Sequence, residues 1–161
     1  MFANLIASSL TEQKKGTTHP AYIEIIKQLQ SDEALILKFM VQQESHRKGH
    51  APTIDIIVES AGTVFSFKKI TSEFNLIAED AGCLYPENFW GYFANLKRIG
   101  LIEHSSGTCF SQDQHKRIFD SPKAKEVYES EQAQGHKATW KFGTYNFTRF
   151  GNEFAKVVIS T

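Results

Sequence analysis

Cysteine is almost missing from this sequence: Cys83 and Cys109 are its two thiols. They form neither a zinc-ligand spacing nor a disulfide framework, which fits a reducing cytoplasm. An excess of either charge is missing too, since Lys plus Arg and Asp plus Glu both number 18. Residues 1–86 carry eight basic and ten acidic side chains, and residues 87–161 carry ten and eight. A dedicated nucleic-acid module shows a clear basic excess, so this balance counts against a polyanion as main partner while leaving room for a local patch. Long apolar runs are lacking as well. The N-terminal MFANLIASSLTEQ stays apolar for ten residues and has no basic leader. That is too short to span a bilayer and unlike a signal peptide, so no membrane insertion is expected.

Catalytic signatures are the last absence. There is no G-x-S-x-G, no phosphate-cradling glycine loop and no H-E-x-x-H, which removes the commonest hydrolase, nucleotide and metalloprotease chemistries. The six histidines, His19, His46, His50, His104, His115 and His136, are scattered. His46 and His50 have the spacing of two ligands on a helix face, but ESHRKGHAP reads as a loop without a suitable third ligand, so no metal is expected. Cys109, Asp113 and His115 supply the residue types of a thiol–imidazole pair, with nothing in the pattern to set their geometry. The chain reads as no enzyme, with no cofactor.

What is present is a succession of amphipathic segments. At 161 residues, 41% hydrophobic and 22% charged, the chain can bury a real core. Phe2, Leu5, Ile6 and Leu10 fall at helical spacing, and the chain starts inside that helix without a cap, as if a longer helical region had been cut. TTHPAYIEIIKQLQ predicts a second helix, with Thr18 or His19 as cap, Pro20 in the first turn, and Tyr22, Ile25, Ile26 and Leu29 facing inward. SDEALILKFMVQQ predicts a third, capped by Ser31, with Asp32 and Glu33 at its positive end and Leu35, Ile36, Phe39 and Met40 as its stripe. TIDIIV and TVFSFKK flank SAG as a hairpin or two extended segments. TSEFNLIAEDAGC reads as a helix capped by Thr71 or Ser72, with Phe74, Ile77 and Ala78 inward and Gly82 as its stop.

PENFWGYFANLKRIGLIE has the most legible ends, with Pro86 in the first turn and Gly100 past the last. Phe89, Tyr92, Phe93, Leu96 and Ile99 make its core side. Gly91, Asn95 and Arg98 lie opposite, with Trp90, Ala94 and Lys97 on a flank. LIEHS and KATWKFGTYNFT read as strands, the second with Gly143 at a bulge or turn. Between them SPKAKEVYESEQAQ predicts a polar helix starting at Ser121 and Pro122. TRFGNEFAKVV closes the chain as a helix capped by Thr148, with Phe150, Phe154, Val157 and Val158 inward. The expected fold is therefore α+β and mostly helical. Residues 1–30 would be two N-terminal helices, the end of a truncated helical region. Residues 31–161 would be a winged-helix-like domain with a C-terminal helix and a long wing insertion at about 106–137, a length that marks a functional or mobile segment.

Three blocks resemble the abortive-infection alpha (Abi-alpha) family of bacterial proteins, specifically its C-terminal part. They are MFANLIASSL with HPAYIEIIKQLQSDEALIL, then NLKRIGLIE, similar to the family's NL-x-R-x-GLI, and FTRFGNEFAKVV, similar to its LT-x-FG-x-x-F. Phe147 stands where the family tends to leucine. The resemblance implies a bacterial, cytoplasmic phage-defence protein and carries over no catalytic residue.

Two surfaces are candidates for recognition. Asn95 and Arg98 have side chains that read adenine and guanine edges, and with Lys97 they could line a groove. On the wing, Lys137, Lys141 and Arg149 lie near Trp140, Phe142 and Tyr145, a mixture that holds phosphates and stacks on bases. Trp140, Phe142 and Thr144 share the strand face expected to be buried, and Lys141 and Tyr145 share the other. The reading adopted is a non-catalytic interaction module that binds a protein partner or itself, working through residues 106–142. Its rivals are a DNA- or RNA-binding winged helix using Asn95, Lys97, Arg98, Lys137 and Lys141, and a homo-oligomerisation domain paired through the N-terminal helices.

Overall fold

A computed structural model describes residues 20–43, 49–59, 67–107 and 112–159. The expected helix at residues 2–10, the caps Thr18 and His19, and His46 and Cys109 lie outside these. Among the described residues are seven α-helices and a four-stranded sheet. The chain divides into two compact units, one of residues 1–50, 77–103 and 146–161, the other of residues 51–76 and 104–145.

The first unit is helical. It holds α1 (Pro20–Gln28), α2 (Ser31–Gln42), the single-turn α3 (Ile77–Asp80), α4 (Phe89–Arg98) and α7 (Arg149–Phe154). A 3-10 turn, Pro86–Asn88, leads into α4, and a π-turn, Ala155–Ile159, follows α7. Ile36, Leu37 and Met40 of α2 are fully buried, as are Phe93 and Leu96 of α4 within a per cent. Tyr22 of α1 packs edge-on against Phe154 at 5.3 Å and tilts against Phe150 at 5.5 Å. The aromatics of α4 are thus core on the side expected. The cap of α2 is Gln30 rather than Ser31, because Glu33 reaches back to accept the Gln30 N–H at 2.9 Å.

Two of the family-like blocks meet in this unit. Gly100 ends α4 in the left-handed region at φ 76°, and Leu101 then turns back with its N–H on the Leu96 carbonyl at 3.1 Å. Thr148 donates its hydroxyl to the Gly100 carbonyl at 2.6 Å and its N–H to that of Leu101 at 3.0 Å. The same hydroxyl accepts the Gly151 N–H at 2.9 Å and so caps α7, as expected. Gly151 lies directly on Leu101: a Cβ there would sit 2.8 Å from the Leu101 carbonyl carbon and closer still to its oxygen. NLKRIGLIE and FTRFGNEF are therefore two halves of one backbone joint.

The second unit is built on the sheet, whose strands are β1 (His50–Glu59), β2 (Phe67–Phe74), β3 (Ile102–Ser106) and β4 (Ala138–Phe147), in the order β2-β1-β4-β3. Neighbours run antiparallel. β1 pairs with β2 from Ile54 with Phe74 to Glu59 with Phe67. At β4, the Glu59 N–H meets the Lys137 carbonyl and the Gly107 N–H meets that of Phe142. β1 begins at His50, inside the stretch that reads as loop, and Pro52 is tolerated because it precedes the first residue paired with β2.

Two expectations fail here. Thr71 to Phe74 belong to β2, and the helix expected from Thr71 survives only as α3. The Thr71 and Ser72 hydroxyls look like caps, but Ile70 and Thr71 are β-branched and β1 supplies the pairing, which outweighs a weak local preference. Glu73 bends the strand end at φ 56° and donates its N–H to Asp55 Oδ1 at 2.8 Å. The insertion between β3 and β4 holds two helices rather than one, α5 (Gln112–Phe119) and α6 (Pro122–Ala133).

Candidate functional site

The residues proposed to read nucleic acid are engaged within the protein. Asn95 donates through Nδ2 to both Glu33 carboxylate oxygens, at 2.9 and 3.0 Å. Its Oδ1 accepts Arg98 Nε at 3.0 Å and Nη2 at 2.7 Å, and Arg98 also reaches Gln28 at 3.0 Å. Asn95 is thereby a strut between α2 and α4. Lys137 pairs with Glu59 at 2.9 Å, and Lys141 is exposed on β4. Asn95, Lys97 and Arg98 stand in the helical unit and Lys137 and Lys141 in the sheet unit.

Beside the Asn95 strut, Asp32 holds the segment entering α4. Its carboxylate accepts the Leu84 and Tyr85 N–H groups at 3.1 Å each and the Tyr92 hydroxyl at 2.8 Å. Burial alone would raise the Asp32 pKa, but these three donors outweigh it and hold the carboxyl below its ordinary value. Burial, then the Asp32 charge, pushes the Tyr92 phenol up to about 12 and the neighbouring Cys83 thiol to about 11. A thiol held protonated is a poor nucleophile, and Cys83 Sγ donates to the Asp32 carbonyl at 3.5 Å.

The sheet unit contains a polar cluster that the sequence did not reveal. His104 Nε2 lies 2.9 Å from Thr53 Oγ1, and His104 Nδ1 lies 3.5 Å from Glu73 Oε1. The Tyr145 hydroxyl donates a short hydrogen bond to Glu73 Oε2. Burial and then Glu73 hold its phenol far above the ordinary range. Thr53 and His104 stand two strands apart and can meet because Gly143, on β4 between them, has no side chain. Hydroxyl, imidazole and carboxylate in a row are the types of a nucleophilic relay. Here, however, Thr53 is fully buried, and the relay's geometric role is to tie three strands together. A Cβ at Gly143 would fall 2.6 Å from Thr53 Oγ1 and 2.7 Å from His104 Nε2. Gly143→Ala is expected to break that bond and destabilise the protein by about 1–3 kcal/mol in chemical denaturation.

The insertion is fastened to β4 by rings. Trp140 stacks on Phe119 at 4.6 Å and 14°, Phe119 meets Tyr128 of α6 edge-on at 5.1 Å, and Phe142 meets His115 at 4.6 Å. His115 is fully buried, with Nε2 3.0 Å from the Gly143 carbonyl. A histidine so placed anchors α5 and is shut away from solvent chemistry. A shallow cavity of about 450 Å³ lies between the ends of β1, β2 and α6. Its polar groups largely engage one another, His136 on Glu131 at 2.7 Å and Lys137 on Glu59. Among the described residues no three His, Cys, Asp or Glu side chains cluster as metal ligands. No described helix is long and apolar enough to cross a membrane.

These features define an α+β protein whose buried polar side chains join its elements. The chain belongs to the abortive infection alpha family, whose model matches residues 1–158, so the likeness is not confined to a C-terminal part. It is thereby an abortive-infection-associated protein. No curated protein matches it. Among solved structures it is similar to an uncharacterized protein from the hydrocarbon-degrading marine bacterium Alcanivorax borkumensis SK2. The TM-score is 0.49 at 15% identity, covering 94% of this chain and 99% of that one.

Proposed function

We propose that the protein is a non-catalytic recognition module of a cytoplasmic phage-defence system, and that the inserted helices carry the recognition. The observation behind this reading is α6. It is twelve residues long and fully buries only Ala124, yet it is capped by Ser121 and pinned by the Tyr128 hydroxyl on the Ala138 carbonyl at 3.2 Å. A helix that adds little to the core but is held in one place suits a partner surface. The order of α2, β1, α3, α4, β3 and β4, with β1, β4 and β3 adjacent, supports a winged-helix plan in which α5 and α6 interrupt the wing.

The test reverses charge on the exposed face of α6 with Glu126→Lys and Glu129→Lys together. Circular dichroism should match the wild type, while cells carrying the variant should lose protection and return to the plaque counts of cells lacking the protein. A variant that protects as well as the wild type overturns the reading. A gel-shift assay at low salt, with Arg98→Ala and Lys141→Ala as control, addresses the nucleic-acid alternative. Salt-sensitive binding lost in that control would replace the present proposal.

A further inference from the structure

Among the described residues nothing gives Gly91 a steric reason to be glycine. It lies inside α4, where glycine is the least favourable residue short of proline, and its φ is not positive. A Cβ built there meets none of the described residues within 4 Å. On helical spacing Trp90, Gly91, Ala94 and Arg98 share one arc of about 100°, and Glu87 stands on the 3-10 turn that enters the helix. Arg98 keeps further N–H donors beside those on Asn95 and Gln28. All five residues are exposed. The segment before them adds the most exposed large apolar side chains of the described residues, Leu84 at 74% and Tyr85 at 53%, beside Trp90 at 45%. Asp32 fixes the backbone of Leu84 and Tyr85, so these side chains stand on an ordered turn. Little order would have to be gained on binding.

We propose that this face docks a second copy of the chain, α4 against antiparallel α4 about a two-fold axis between residues 92 and 93. The pairing that sets Gly91 opposite Ala94 of the partner subunit also sets Glu87 opposite Arg98 of the partner subunit, because both pairs share that centre. Small residues at the crossing let two backbones approach, and the twofold repeats the charge pair at each end. Self-complementary charge favours another copy over a polyanion, which Glu87 would repel. Leu84, Tyr85 and Trp90 supply the apolar contact. The ten residues of α4 span only about 15 Å, so the interface lies at the small end of the range for specific complexes, and the dimer depends on concentration.

Sedimentation velocity on the full chain, from low micromolar to several hundred micromolar, tests this. The wild type should pass from monomer to dimer. Gly91→Leu should stay monomeric with a thermal midpoint no lower than that of the dilute wild type, because it relieves a helix-interior glycine while blocking the crossing. Glu87→Arg and Arg98→Glu should each weaken the dimer about tenfold, and the double swap should restore it. A wild type that is monomeric throughout, a Gly91→Leu dimer as tight as the wild type, or a double swap that recovers nothing would each overturn the proposal.

Discussion

Gly151→Ala is expected to destabilise the protein by about 3 kcal/mol or more, measured by urea denaturation, and to leave much of it insoluble on expression. The new methyl would have to occupy space held by the Leu101 carbonyl group, with its carbon 2.8 Å and the Leu101 Cα 3.1 Å away. A crowded side chain can rotate, but a crowded backbone must move as a whole. Moving Leu101 would also pull on the Thr148 N–H bond to its carbonyl and the Thr148 hydroxyl bond to Gly100. The cap of α7 would loosen with them, since Gly151 donates to the same hydroxyl at 2.9 Å. The same substitution at Gly91 is the control. No described residue crowds that position, so Gly91→Ala at low concentration should stabilise the monomer by roughly 0.5–1 kcal/mol through helix propensity. Opposite signs for one chemical change at two helical glycines would separate close approach from helix preference.

The ends of helices were legible in the sequence and the partners of polar side chains were not. Gly100, Ser121, Pro122 and Thr148 each stand at the helix end expected of them, and Pro86 opens the 3-10 turn that leads into α4, since such end signals act on the neighbouring backbone. Thr71 and Ser72 carry a cap signal of the same kind, yet the strand β1 claims them, because a ladder from across the chain outweighs one local hydrogen bond. Asn95 and Arg98 have the right chemistry for base edges. That they also bond to Glu33 and Gln28 depends on how α1, α2 and α4 pack, which spacing within one helix does not encode. His104 looked like one of six scattered histidines. Its link to Thr53 exists because β3, β4 and β1 are neighbours with Gly143 in the middle, a fact of register. The lone signal available was Gly143 itself, inside an otherwise β-rich run, where a glycine marks a close approach. His115 reads as one residue type of a thiol–imidazole pair whose geometry the pattern does not set; it is buried on α5, a helix that the sequence hid in a polar stretch with few apolar residues.

Asp32→Ala is expected to cost about 3–5 kcal/mol, the summed effect of leaving several buried donors without an acceptor. Leu84 N–H, Tyr85 N–H and the Tyr92 hydroxyl all point at this carboxylate, and the Tyr92 side chain is 5% exposed. Water can rescue the two backbone groups more readily than the phenol, so Tyr92 carries the larger share. Protonation removes the same charge reversibly, and its sign follows from the direction of the shift. The folded-state pKa of Asp32 is below its ordinary value of 3.8. Its contribution is then fully present above that value and is lost as pH falls through the lower, folded-state pKa. Wild-type stability should therefore fall in acid, with a component that Asp32→Asn lacks, since the amide keeps an acceptor oxygen but cannot titrate. Denaturation midpoints compared from neutral pH down to pH 3 provide the measurement. If the two proteins lose stability in parallel, the carboxylate charge is not what holds the segment before α4. If the difference between them shrinks as pH falls, Asp32 is the charged post on which Leu84 and Tyr85 are presented.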